Sequence, residues 1–347
     1  MKKKKIVLAY SGGLDTSVIL HWLKAEYNAD VIAYIADLGQ GEDLKLAAKR
    51  AKQVGACKVY VEDLKKEFIN DFIYPMIQSS AIYEGTYLLG TSIARPLIAK
   101  RQIEIANKEK AFAVSHGSTG KGNDQVRFEL AFHALNPKIE IISPWRVWNY
   151  KSREDCIEYA KKNKIPITVT KQKPYSCDRN IFHVSYEGGI LEDPWAEPPD
   201  SMFETVRPLS KSLNKPSKII LSFKDGIPIR FNGKRIDGVN LFRQLNKLAG
   251  KHGIGVVDIV ENRFVGMKSR GVYETPGGTV LNIAHRAVES LTMDREVMHI
   301  RDSLVPKISQ LIYNGFWFSP EMRVLLSFVK ESQKNVCLLY TSPSPRD

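Results

Sequence analysis

Apolar positions in the first 150 residues come as short unbroken blocks, separated by stretches in which they recur every three or four residues. Residues 5–10, Lys-Ile-Val-Leu-Ala-Tyr, form such a block and predict a buried strand, with a glycine turn directly after it. Leu14, Val18, Trp22 and Ala25 then fall on one stripe of a helix. The same pattern predicts a strand over 31–36, a helix over 42–54 stopped by Gly55, and further strands over 58–61, 111–115 and 139–142. Strands alternating with helices imply right-handed crossovers and a parallel sheet covered on both faces. The expectation is a doubly wound α/β domain whose ligands sit beyond the carboxyl ends of its strands.

The second half follows another rule. Residues 218–223 and 227–231 flank Lys224-Asp225-Gly226, a hairpin signal. A helix is expected over 239–249, a strand over 256–260, and helix over 279–313 with an interruption near Pro306. Residues 171–214, rich in Pro, Gly and Trp, read as extended loop holding the domain boundary. The expected division is a nucleotide-binding domain at 1–170, an α+β domain at 171–336, and a tail at 337–347. That tail lacks periodicity and reads equally as foreign sequence joined to a shortened reading frame or as an ordinary disordered terminus.

Composition narrows the possibilities. With 347 residues, 43% hydrophobic and 26% charged, the chain is long enough for two cored domains and is neither collagen-like nor disordered. No apolar run is long enough to cross a bilayer as a helix. The basic start, Lys2 to Lys5, is followed by too short an apolar stretch for a signal peptide, so cytoplasmic residence is expected. The net charge of +13 is spread over both halves and suits phosphate- or carboxylate-rich ligands. Cys57, Cys156, Cys177 and Cys337 have no metal or redox spacing, and no His-x-x-x-His pair suggests a zinc centre.

Candidate chemistry concentrates in loops after strands. Ala9-Tyr10-Ser11-Gly12-Gly13-Leu14-Asp15-Thr16-Ser17 joins the first strand to the first helix. Two glycines permit close backbone approach, and free helix amides with three hydroxyls make an anion cradle. The competing reading is a plain turn in which Asp15 or Thr16 caps the helix. The spacing fits neither a Walker loop nor a dinucleotide fingerprint. A second glycine loop, from Ser115 through His116, Gly117, Ser118, Thr119 and Gly120 to Gly122, again follows a strand, and Asn123, Asp124 and Arg127 open the next helix. Arg127 suits a carboxylate, against the plainer reading of a surface salt bridge to Asp124. A third stretch, 83–96, places Pro96 in a first helical turn near Thr91 or Ser92, with Arg95 at a helix start where a cation is unfavourable unless an anion binds. The polar runs 175–178, 183–189 and 261–276 read by themselves as solvated loops.

Taken together these runs carry a resemblance. Residues 9–17 resemble the pyrophosphate-loop signature of the ATP pyrophosphatases, enzymes that attack the α-phosphate of ATP. With Tyr87-Leu88-Leu89-Gly90-Thr91-Ser92, Ser115 to Arg127, Ser143-Pro144-Trp145-Arg146, Ser185-Tyr186-Glu187 and Glu261 to Pro276, the chain resembles the argininosuccinate synthase family from about residue 5 to about 335. The resemblance implies an adenine nucleotide α-hydrolase-like domain followed by an α+β synthetase and multimerisation domain. It implies ATP, with Mg2+, on Ala9, Tyr10, Ser11, Gly12, Gly13, Leu14, Asp15, Thr16, Ser17, Ala36 and Gly117. It places citrulline on Tyr87, Ser92, Asn123, Arg127, Ser176, Ser185, Glu261 and Tyr273, and aspartate on Thr91, Thr119, Asn123 and Asp124. Asp15, Asp124 and Arg127 are the candidate catalytic residues, and no metal is expected on protein ligands alone. Members of the family continue into a C-terminal arm that packs a homotetramer, and the chain is expected to lack it. Neither membrane nor nucleic acid is an expected partner, although a pyrophosphate-loop enzyme adenylating a tRNA base is the alternative.

Overall fold

The computed structural model describes residues 3–120, 122–150, 152–166 and 175–342. They divide into two compact units, one of residues 1–64 with 95–172 and the other of 65–94 with 173–347. The excursion 65–94 is the departure from the division expected at residue 170. It carries the helical run α3 (Lys65–Glu67), a π-helical stretch (Phe68–Ile73) and α4 (Tyr74–Gln78), which packs with the second unit.

The first unit begins with β1 (Lys5–Ala9), α1 (Leu14–Glu26), β2 (Asp30–Asp37), α2 (Leu44–Val54) and β3 (Lys58–Asp63). Helix α5 (Gly90–Glu109) leads back into it, followed by β4 (Ala113–Ser115), α6 (Asn123–Leu135), β5 (Glu140–Ile142), α7 (Pro144–Val147) and α8 (Arg153–Lys162). The five strands form one parallel sheet in the order β3-β2-β1-β4-β5. Ile6, Val7 and Leu8 of the central strand are fully buried, each contributing roughly 1.5–3 kcal/mol through removal from water. Chain order reverses across the β1–β4 pair, where Leu8 lies opposite Ser115. The loops that follow these two strands therefore diverge at a topological switch point, the place where such sheets open a crevice. Helix α2 ends as expected at Gly55, which adopts φ +106°.

Helix α5 starts earlier than Pro96 suggests. It begins at Gly90 and carries Pro96 in its interior, with the Thr91 amide of its first turn donating to Tyr87 Oη at 3.3 Å.

The second unit holds two four-stranded sheets. One, in the order β11-β12-β7-β6, comprises β6 (Ser176–Arg179), β7 (Val184–Glu187), β11 (Val256–Asn262) and β12 (Lys268–Glu274). This corrects the loop reading of 175–178, 183–189 and most of 261–276: these polar runs are paired strands. The other sheet contains β8 (Ile219–Lys224), β9 (Ile227–Phe231), β10 (Lys234–Arg235) and β13 (Leu339–Ser342), which pairs antiparallel with β8. Four residues of the expected tail are thus in a sheet, and 343–347 lie outside the described residues. The β8–β9 hairpin turns at Asp225 and Gly226, both at positive φ (+53° and +73°), as a two-residue Asp-Gly turn matching strand twist requires.

Helices α9 (Gly238–Lys251), α10 (Pro276–Thr292), α11 (Arg295–Asn314) and α12 (Pro320–Ser332) complete the unit. The helical break expected near Pro306 lies instead at Met293–Asp294, where Asp294 accepts from the amides of Glu296 and Val297 and starts α11. Pro306 is inside α11. Arg301 of α11 and Glu289 of α10 form a fully buried ion pair, Nη2 to Oε2 at 2.7 Å, completed by Gln333 donating to Glu289 at 2.8 Å.

Candidate functional site

In the first unit the first glycine loop is an ordered nest. Gly12 sits at φ +84°, and a Cβ there would fall 2.7 Å from the Ala47 Cβ, so only glycine fits. Arg50 donates to the Gly12 carbonyl. Ser11 Oγ lies 3.1 Å from Thr16 Oγ1, Tyr10 Oη 2.8 Å from Ser17 Oγ, and Ser17 Oγ donates to the Gly13 carbonyl at 2.7 Å. The plain-capping reading does not hold: Gly13 is the N-cap and no side chain caps α1, leaving that end to other acceptors. Asp15 Oδ1 is buried with no hydrogen-bond partner. Burial pushes the Asp15 carboxyl pKa up, and Arg153 opposes it. Ala36, at the end of β2, has its carbonyl engaged by Gln40 Nε2 at 2.7 Å.

The second loop lies against the first. A Cβ on Gly117 would come within 2.8 Å of Thr16 Cγ2, so the switch point brings the two glycine turns into van der Waals contact. His116, fully buried, anchors the loop. Its Nδ1 accepts from the Ser118 amide at 3.3 Å, and its Nε2 lies 3.4 Å from Ser143 Oγ. Burial works against ionisation of Glu129, but hydrogen bonds from His116, Ser143 and Gln125 hold its carboxyl down to about 2. Thr119 is exposed in this loop, and Lys121 lies outside the described residues.

At the start of α6, Asp124 is bound by two arginines. Arg95 reaches its Oδ2 with Nε at 3.0 Å and Nη2 at 2.7 Å, and Arg127 reaches Oδ1 at 2.9 Å. Burial opposes the charge, but the Arg95 and Arg127 guanidiniums hold Asp124 down to about 2. The Asp124–Arg127 pair therefore exists, although Arg127 is buried rather than on the surface. The anion required by Arg95 is Asp124, a partner 29 residues away that local sequence does not reveal. Asn123, the first residue of α6, is half-buried beside this pair.

In the second unit one face of the β11-β12-β7-β6 sheet gathers most of the remaining candidates. Register places Ser185 of β7 opposite Tyr273 of β12 and Asp178 of β6, and Glu187 opposite Ser176. Tyr273 donates to Glu261 Oε1 at 2.7 Å. Burial, then the neighbouring Tyr87 and Glu261, raises its phenol well above the ordinary range, so the proton stays on. Thr91 Oγ1 donates to Ser185 Oγ at 3.2 Å. Ser92 is fully buried and its Oγ has no partner. Ser176 lies exposed on the edge strand β6.

Three residues that reading the sequence did not single out border this face. His183 is buried, its Nδ1 2.8 Å from Thr275 Oγ1 and its ring stacked 5.1 Å from that of Tyr273. A Cβ on Gly90 would overlap the His183 ring, which explains the glycine before Thr91. Glu84 and Asn262 bond to each other at the open end of the same sheet. On the opposite face Glu274 is structural: it accepts from Tyr186 Oη and from Glu204, Thr205 and Val206 amides.

Comparison with known proteins shows the same two-part order. Residues 5–166 match the arginosuccinate synthase N-terminal HUP domain, and residues 175–338 match the arginosuccinate synthase C-terminal domain. The chain belongs to the argininosuccinate synthase family. It is 58% identical over 334 residues to argininosuccinate synthase of Desulfatibacillum aliphaticivorans, covering 96% of this chain and 84% of that protein. With the Geotalea daltonii argininosuccinate synthase it shares 60% identity over 333 residues, covering 96% of this chain and 82% of the relative. Among solved structures, the U34-tRNA thiolase NcsA of Methanococcus maripaludis matches over 51% of this chain and 62% of that one, at 18% identity and a TM-score of 0.34, too low to inform function. As a family member the chain joins a HUP nucleotide-binding domain with a parallel sheet to a C-terminal domain. No helix among the described residues is long and apolar enough to cross a membrane.

Proposed function

We propose that this protein is a ligase that joins L-citrulline to L-aspartate at the expense of ATP, releasing AMP and pyrophosphate, in arginine biosynthesis. The observation that carries this reading is the match of both domains of the argininosuccinate synthase family, in order, over nearly the whole chain.

The physical problem is a ureido carbon, made unreactive by donation from both its nitrogens. Attack of the ureido oxygen on the α-phosphorus of ATP forms citrullyl-adenylate and expels pyrophosphate; the aspartate α-amine then displaces AMP. The chain's contribution is positioning and charge neutralisation. Residues 9–17 and Gly117 present backbone amides and hydroxyls to the phosphates, and Ala36 marks the strand end beside the nucleotide. Mg2+, when bound, offsets phosphate charge. Asp15, whose buried Oδ1 has no hydrogen-bond partner, is the hard oxygen donor beside the loop that would meet a nucleotide-borne ion.

Arg127 is assigned to a citrulline carboxylate, and Glu261 to its ammonium with Tyr273, Tyr87, Ser92, Ser176 and Ser185. Thr91, Thr119, Asn123 and Asp124 are assigned to aspartate. The ionised Asp124, held by Arg95, is suited to accept from an amine; no side chain in this set is its evident base, and a phosphate oxygen can take the proton. Cytoplasmic residence and a homotetramer belong to the same reading, the latter tested by sedimentation of the chain.

The test is pyrophosphate release from ATP with citrulline or aspartate left out in turn. Release that requires citrulline supports the assignment. Release that ignores citrulline and follows added tRNA overturns it.

A further inference from the structure

Residues 83–87 form a tight loop closed on itself, with the Tyr83 amide donating to the Tyr87 carbonyl at 2.8 Å and the Tyr87 amide to the Tyr83 carbonyl at 3.0 Å. Its apex holds Glu84 at φ +49° and Gly85 at +79°. A glutamate in the left-handed region persists only where its surroundings hold it. The contacts that hold it converge on one residue, Asn262, at the end of β11. Glu84 Oε1 accepts from Asn262 Nδ2 at 2.5 Å and Oε2 from its amide at 3.3 Å. Tyr83 Oη donates to the Asn262 carbonyl at 2.8 Å, and Lys268 Nζ donates to Asn262 Oδ1 at 2.7 Å. Every polar group of Asn262 is thereby engaged, three of the four by the loop.

We propose that Glu84 is a positioning residue that latches the 83–87 loop to Asn262, so that one hydrogen-bonded unit sets two citrulline-site side chains, Tyr87 and Glu261. Tyr87 closes the loop and Glu261 immediately precedes Asn262, and the two meet through Tyr273, which stacks on one and hydrogen-bonds the other. Glu84 itself is exposed and touches no assigned substrate group. Its charge-assisted bonds fix the separation of the strand end from the loop, and therefore the width of the ureido amino-acid pocket. The latch lies outside the buried core, so loosening it changes substrate geometry without removing apolar packing.

This inference rests on the citrulline assignment, and citrulline-dependent pyrophosphate release by the unaltered protein checks that assignment separately. Glu84→Ala and Asn262→Asp should each raise the citrulline KM about fivefold or more, with kcat, the ATP KM and the melting temperature nearly unchanged. Asn262→Asp sets two carboxylates against each other. The double variant Glu84→Gln/Asn262→Asp exchanges donor and acceptor and should recover most of the lost affinity. Tyr83→Phe, which removes the hydrogen bond to the Asn262 carbonyl and leaves both Glu84 bonds, should move the citrulline KM the same way by less. Unchanged citrulline KM in the single variants overturns the latch, as does a double variant no better than Asn262→Asp. Parallel loss of melting temperature and of all substrate affinities reduces it to a structural contact.

Discussion

The rings of Tyr87 and Tyr273 stack with centroids 4.4 Å apart and planes 24° from parallel. The stack aims the Tyr273 hydroxyl at Glu261, and it needs Gly271, since a Cβ there would fall 2.2 Å from that hydroxyl. Tyr273→Phe keeps the stack and leaves a buried carboxylate without this donor. A hydrogen bond to a charged group contributes about 1.5–3 kcal/mol, so the citrulline KM should rise on the order of tenfold to a hundredfold. Initial rates with citrulline varied and ATP saturating check this; the ATP KM should stay within twofold.

Contact between the two glycine turns predicts a suppressible defect. Gly117→Ala brings a methyl within 2.8 Å of Thr16 Cγ2, and overpacking of this kind costs about 1–3 kcal/mol. The ATP KM should rise about tenfold. Adding Thr16→Ser deletes the offending methyl and retains the hydroxyl beside Ser11, so pyrophosphate release should return toward normal. A second substitution without effect would show that the turns do not press on each other.

The centre of the first unit was legible because β1, β2 and β4 are buried on both faces. An apolar block such as 5–10, short and ended by Gly12-Gly13, reads as a buried strand, whereas the order β3-β2-β1-β4-β5 comes from the structure. The citrulline-site sheet was illegible for the opposite reason. Along β6 and β7 one face carries Ser176, Asp178, Ser185 and Glu187, and the opposite face includes Cys177, Arg179, Val184 and Tyr186. So short and mixed an alternation reads as loop. The resemblance supplied those residues, where spacing did not. Arg95 was legible as a cation in need of an anion, but the anion is distant in sequence. Pro306 misled because an interior proline is normally a break, whereas Asp294 already supplied one.

Glu274 separates structure from chemistry within one motif. It is fully buried and neutralised by donors alone, the Tyr186 hydroxyl, the Thr205 hydroxyl and three successive amides. Glu274→Gln sets an amide NH2 against those donors and should cost at least about 2 kcal/mol. Thermal unfolding should fall by several degrees, and surviving protein should keep its citrulline KM within about twofold. A large KM change at unaltered melting temperature would move Glu274 into the binding machinery.

His183 makes acid stability a property of the same face. Burial pushes its pKa down to about 3, against about 6.5 for an exposed imidazole. The folded chain therefore holds His183 neutral between pH 6.5 and 3, while the unfolded chain binds a proton there. Linkage gives the sign: the contribution is complete above pH 6.5 and declines as pH falls toward 3, by at most about 1.4 kcal/mol per pH unit. Asp124, held down to about 2, loses its contribution only below the ordinary carboxylate range near pH 4, so the two windows are separable. His183→Asn removes the titration while retaining a polar atom for Thr275. Urea unfolding at pH 7.5, 6 and 5 should show a steep loss for the unaltered protein. The variant, less stable at pH 7.5, should show a visibly shallower one. Parallel slopes in the two proteins would mean that His183 is not held neutral by its burial against Tyr273.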